Sequence, residues 1–142
     1  MAGLQTTNSA LRTSITNQIN AKQTEKNSLN EKITGAGNLV QLYSEIITRL
    51  RVLESDFIAE QKGLSSLEIN KNEWTGKTAR ELERDFEQVN HESSIVIWHI
   101  SSQISYVEEE KMRQERAVLS FGEQINTLDN QIAGLRNRLS DL

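Results

Sequence analysis

The sequence predicts an all-α protein, an elongated antiparallel helical hairpin with coiled-coil-like packing. Three observations predict it. The 142-residue chain has no proline, so nothing in it forbids long uninterrupted helices. Aromatic residues are only 5 % and the mean hydropathy is negative. That is too little for a compact globular core and about enough for a narrow apolar seam with wide polar flanks. Finally, apolar residues recur in helical steps on both sides of a central segment, 70–86, that interrupts them. So polar a chain could also be disordered, but that regular spacing argues otherwise. At this length, residues 1–142 are read as one domain.

Arm one is expected over about 4–62. Its first part carries a weak stripe of Leu4, Leu11, Ile15, Ile19, Leu29 and Ile33, interrupted by Gln18, Lys22 and Lys26. Gly35-Ala36-Gly37 follows. Each glycine costs roughly 1 kcal/mol against alanine in a helix, so a break, kink or short loop is expected at 35–37; a helix that runs through is the alternative. Residues 38–62 are strongly helical. Leu39, Leu42, Ile46, Leu50, Leu53 and Phe57 form one stripe in steps of 3, 4, 4, 3 and 4, and Val40, Tyr43 and Ile47 form a second beside it. Two stripes exceed what one seam needs, which suggests more than one neighbour. Gly63 after Lys62 reads as a helix stop.

The connection is expected over about 63–77. Ser65 with Glu68, Asn70 with Glu73 and Thr78 with Glu81 all have capping-box spacing, so a second helix begins hereabouts. Arm two then runs from about 78 to 142. Its seam is Leu82, Phe86, Val89, Ser93, Val96, Ile100, Ile104, Val107, Lys111, Gln114, Val118, Phe121, Ile125, Leu128, Ile132, Leu135, Leu139 and Leu142. Gly122 and Gly134 lie off the seam and would weaken it locally. Folding the chain back near residue 70 sets 39–57 opposite 83–101 and 18–26 opposite 114–122, so apolar-rich meets apolar-rich and polar meets polar. A parallel homodimer of the second helix would show the same heptads.

Ile95-Val96-Ile97-Trp98-His99-Ile100 covers every side of a helix. Ile95, Ile97 and Trp98 point away from the expected seam, and with Val40, Tyr43 and Ile47 they would form an outer apolar patch for a partner, built from 39–57 and 86–104. Cover by the chain's own residues 1–33 is the alternative.

Other functions find little support. The net charge is −4, with no Lys/Arg block to follow a phosphate backbone, so nucleic acid is not an expected partner. There is no cysteine, hence no disulfide or thiolate metal site. No apolar run approaches a membrane span, and no Sec signal is visible at the N-terminus. His91-Glu92 opens like a zinc-protease motif, but Ile95 stands where the second histidine is required. Glu108, Glu109 and Glu110 with Lys111, Arg113, Glu115 and Arg116 read as a solvated ion-paired face. No enzyme, metal or cofactor is expected.

Trp74-Thr75-Gly76-Lys77-Thr78-Ala79-Arg80-Glu81-Leu82 resembles the helix-turn-helix apex of the WxG proteins of Gram-positive type VII (ESX) secretion. Trp74, Gly76, Ala79 and Leu82 occupy the family's places, with Leu82 departing from the usual aromatic and Phe86 following one turn later. A tryptophan can wedge between two helices there, and a glycine permits close backbone approach. The length of arm one is more similar to the small helical proteins encoded beside LXG-domain toxins.

The resemblance implies a targeting or chaperone-like accessory factor, cytoplasmic or co-secreted. Its implied partners are the toxin's helical LXG domain, a second small helical protein and the secretion ATPase. Tyr106 and Glu110 have the spacing of the family's export signal, Tyr-x-x-x-Asp/Glu; an incidental pair on one helix face is the alternative. A self-associating coiled-coil scaffold, unrelated to secretion, is the rival reading of the whole chain.

Overall fold

A computed structural model describes residues 2–65 and 77–142. It contains two helices, α1 (Ala2–Ser65) and α2 (Lys77–Ser140), which pack against each other as an all-α hairpin. No described residue is in a strand.

The expected break at 35–37 is absent, because α1 runs through both glycines. Ala36 between them is 6 % exposed and sits in the seam, so its burial and the helical hydrogen bonds on either side outweigh the glycine cost. Gly63 likewise lies inside α1, and Gly122 and Gly134 inside α2. Thr78, a capping candidate, already lies within α2. The Ser65–Glu68 and Asn70–Glu73 candidates reach into residues outside those described.

Contacts divide the chain into two units, Met1–Gln41 with Met112–Leu142, and Leu42–Lys111. In unit one, Ile15 and Ile19 bury themselves against Ile132 and Leu135, with Leu139 and Leu142 packed alongside. Further along α1, Lys22 Nζ donates to Gln131 Oε1 at 2.9 Å, Lys26 pairs with Asp129, and Lys32 Nζ stands 5.9 Å from the centre of the Phe121 ring. Numbers rise on one helix as they fall on the other, so the pairing is antiparallel.

Unit two has its own core of Ile47, Ile100 and Ile104, with Leu50, Phe57 and Val107 against it. Arg51 pairs with Glu108 at 2.6 Å. Gln61 Nε2 donates to the Asn90 carbonyl at 3.2 Å and to Ser94 Oγ at 2.7 Å. This pairing is antiparallel too.

The register differs from the expected one. Residues 18–26 were expected opposite 114–122, but Lys22 and Lys26 meet Gln131 and Asp129. Arg51, expected opposite the upper eighties, meets Glu108. In each unit the facing residue on α2 has a higher number than the expected register gives it. What sets the register is the cross-helix polar pairs and the isoleucine clusters, which matching apolar-rich with apolar-rich stretches does not capture.

Candidate interaction surface

The seam comes first, since any surface is what the seam leaves over. In α1 the inward positions alternate steps of four and three throughout. They are Ile15, Ile19, Lys22, Lys26, Leu29, Ile33, Ala36 and Val40 in unit one, then Tyr43, Ile47, Leu50, Glu54, Phe57, Gln61 and Leu64 in unit two, all buried or half-buried. In α2 the same alternation runs through Ala79, Glu83, Phe86, Asn90, Ser93, Ile97, Ile100 and Ile104 to Leu142. From Ile100 onward this is the seam the sequence predicts. Before Ile100 it is displaced by one residue at several positions.

That displacement takes apart the expected partner patch. Val40, Tyr43 and Ile47 face inward, and Ile47 is 6 % exposed in the core of unit two. Ile97 is half-buried in the seam of α2. Ile95 and Trp98 are exposed, but Ile95 faces away from α1 and Trp98 lies one residue past a seam position, on the flank that carries Arg51 and Glu108. The Trp98 ring edge contacts the His99 ring, 5.1 Å between centroids. Residues 1–33, the alternative cover for the patch, bury Ile15 and Ile19 on Ile132 and Leu135 instead.

A different apolar surface takes the patch's place. In an antiparallel helix pair, positions one residue before the seam on both helices line the same flank. Positions one residue after it line the other, as the Arg51–Glu108 pair shows, since these follow Leu50 and Val107. In unit two the preceding positions are Leu42, Ile46, Arg49, Leu53, Asp56 and Glu60 on α1. On α2 they are Leu82, Asp85, Val89, Glu92 and Val96, followed by His99, Gln103, Tyr106 and Glu110. Leu42 and Leu53 are 48 % and 43 % exposed, and Val89 and Val96 are exposed as well. The opposite flank carries Ser44, Thr48, Arg51, Ser55 and Lys62 on α1 and Arg84, Glu87, Ser94, Ser101 and Glu108 on α2, with half-buried Ile58 and exposed Trp98 as its large apolar members. The first flank of unit two is thus the more apolar of the two.

Charge follows the same division. Asp56, Glu60, Asp85 and Glu92 are exposed along the apolar flank, where Arg49 stands as the basic residue of α1. Glu92 Oε1 accepts from Gln88 Nε2 at 3.3 Å, within α2.

Trp74 and Gly76 lie outside the described residues. Ala79 and Leu82 stand half-buried in the first turns of α2, Ala79 in the seam and Leu82 on the apolar flank. Tyr106 is 60 % exposed and Glu110 half-buried, one turn apart in mid-helix. Among the described residues no cluster of His, Cys, Asp or Glu could hold a metal ion, and no helix is long and apolar enough to cross a membrane.

Leu42, Ile46, Leu53, Leu82, Val89 and Val96 are the surface residues that the sequence pattern assigns to the seam instead. A signal for them is present in the spacing. The expected stripes contain two successive steps of four, Ile46–Leu50 after Leu42 and Ile100–Ile104 after Val96, where a seam of constant phase alternates four with three.

Comparison of the chain with protein-family models, curated proteins and solved structures found no match.

Proposed function

We propose that this chain is a non-enzymatic accessory protein of type VII secretion that binds a helical partner, the LXG domain of a secreted toxin, and helps present it for export. The observation that carries the reading is the exposed apolar flank of unit two, with Leu42, Leu53, Val89 and Val96 open on a two-helix scaffold. A contiguous apolar stripe rimmed by charge is what an amphipathic helix needs as a counterpart. The Trp74-Thr75-Gly76 triplet between the two helices supplies the link to secretion. In this reading burial of the apolar flank supplies affinity and the charged rim sets partner choice. The secretion ATPase and a second small helical protein are further partners, with Tyr106 and Glu110 as the export signal.

The test is co-expression with the helical N-terminal domain of a toxin encoded beside this chain, followed by affinity capture and light scattering. A stoichiometric complex supports the proposal. A concentration-dependent homodimer that takes up no toxin domain overturns it in favour of a self-associating coiled-coil scaffold.

A further inference from the structure

We propose that the flank formed by Leu42, Ile46, Leu53, Val89 and Val96 receives one amphipathic helix whose apolar stripe is bordered by lysine and arginine. This rests on the helix-binding reading above and adds the charge of the partner.

The apolar residues decide that the occupant is a helix. They run along unit two from Leu42 to the point where Gln61 meets Asn90 and Ser94. At 1.5 Å per residue this is about 30 Å, or roughly five turns. The strip lies in the notch between two helices, which matches a third helix better than a flat surface.

The rim decides the occupant's charge. Asp56 is an exposed acid on the α1 side, and Asp85 and Glu92 are exposed acids on the α2 side. Glu60 is exposed between them, and Arg49 opposes them on α1. Around Val89 and Val96 a helix seated in the notch would present its flanking residues to acids on both shoulders, while around Leu42 and Leu53 it would pass Arg49 on one side and Gln103 and Tyr106 on the other. Around the two valines basic flanks meet opposite charge on either side, whereas acidic flanks meet like charge on both. A second copy of this chain is disfavoured on the same ground, because a twofold pairing of this flank would bring its own acids together around few compensating cations.

The experiment uses the full chain and two synthetic peptides of ~20 residues with one leucine stripe in common, flanked by lysine in one and by glutamate in the other. Binding is followed by calorimetry at low and physiological salt, with helicity of each protein variant checked by circular dichroism. The lysine-flanked peptide is expected to bind about ten-fold more tightly. The triple variant Asp56→Lys, Asp85→Lys, Glu92→Lys, altered only at exposed positions, is expected to reverse the preference. Leu53→Asp with Val96→Asp should abolish binding of both peptides, and Trp98→Asp on the other flank should leave it unchanged.

Equal affinity for the two peptides, or an unchanged preference in the triple variant, overturns the inference. So does binding that survives Leu53→Asp with Val96→Asp. The toxin domain is titrated alongside. If it binds and the triple variant binds it equally well, the charge inference fails while the helix-binding reading stands. If it does not bind while the lysine-flanked peptide binds through the flank, the secretion reading fails and this inference stands.

Discussion

Lys26 Nζ lies 2.7 Å from Asp129 Oδ1, and it reaches that carboxylate from a position inside the seam of unit one. One turn earlier Lys22, also in the seam, reaches Gln131 in the same way. Both lysines lay their methylene stems along the apolar seam and carry the ammonium to its edge. Polar seam residues of this kind fix register at some expense in stability, because only one alignment gives each its partner.

Replacing Lys26 by leucine is therefore expected to stabilise the chain. The pair is partly exposed, at 29 % and 46 %, so losing it costs at most about 1 kcal/mol. Burying a leucine at the same seam position contributes about 1.5–2 kcal/mol. The net gain of roughly 1 kcal/mol should appear as a higher midpoint in thermal melting monitored at 222 nm. A fall in the midpoint would mean that the Lys26–Asp129 pair is worth more than exposed ion pairs generally are.

Ile47 and Leu42 provide the sharpest check of the seam's phase. Ile47 is packed with Ile100 and Ile104, while Leu42 is 48 % exposed. Ile47→Asp leaves an unpaired charge in that core and is expected to cost more than about 3 kcal/mol, or to unfold unit two outright. Leu42→Asp is expected to change stability by no more than about 0.5 kcal/mol. Urea denaturation of the two variants reads the difference. The stripe of Leu39, Leu42 and Ile46 suggested by the sequence demands the opposite order.

That contrast shows where the sequence could be read and where it misled. Proline-free helical periodicity was enough for two helices packed as a hairpin, and the seam from Ile100 to Leu142 was readable residue by residue. Before Ile100 the most apolar stripe and the true seam diverge. Leu53 is more apolar than Glu54, and Val89 more than Asn90, yet the polar member of each pair faces the other helix. The two helices of unit two share one seam of constant phase, so continuity with Ile47, Ile100 and Ile104 overrides local hydrophobicity. The leftover apolar residues then fall on one flank, and for that reason the sequence pattern reads as an outer apolar patch built from Val40, Tyr43, Ile47 and Ile97, which face inward. The register was out of reach for another reason. It depends on cross-helix pairs such as Gln61 with Ser94, which no single-helix pattern contains.

Gly35 and Gly37 sit in mid-helix with nothing within 4 Å of where a Cβ would stand. Neither is required for close packing. Alanine at each should add about 1 kcal/mol through helix propensity, and the double variant about 2 kcal/mol if the sites are independent. Thermal and urea unfolding should both register the gain. No gain, or a loss, would show that the two glycines serve a bend that the folded protein uses.

Asn90 occupies a seam position in unit two with its Oδ1 buried and without a hydrogen-bond partner. Its backbone carbonyl is satisfied by Gln61 Nε2, and the same atom also receives Ser94 Oγ. The unpaired amide oxygen costs about 1–3 kcal/mol relative to a satisfied one. Asn90→Leu removes that orphan, improves helix propensity by a few tenths of a kcal/mol and leaves the bonds to the backbone carbonyl in place. A net gain of about 1–2 kcal/mol in urea denaturation is expected. Asn90→Asp should act in the opposite sense, because a carboxylate at this buried position would be desolvated, and its cost should shrink as the pH falls and the group takes up a proton. If leucine and aspartate both destabilise to a similar degree, the amide has a partner in solution and the seam at this point is held by a hydrogen bond.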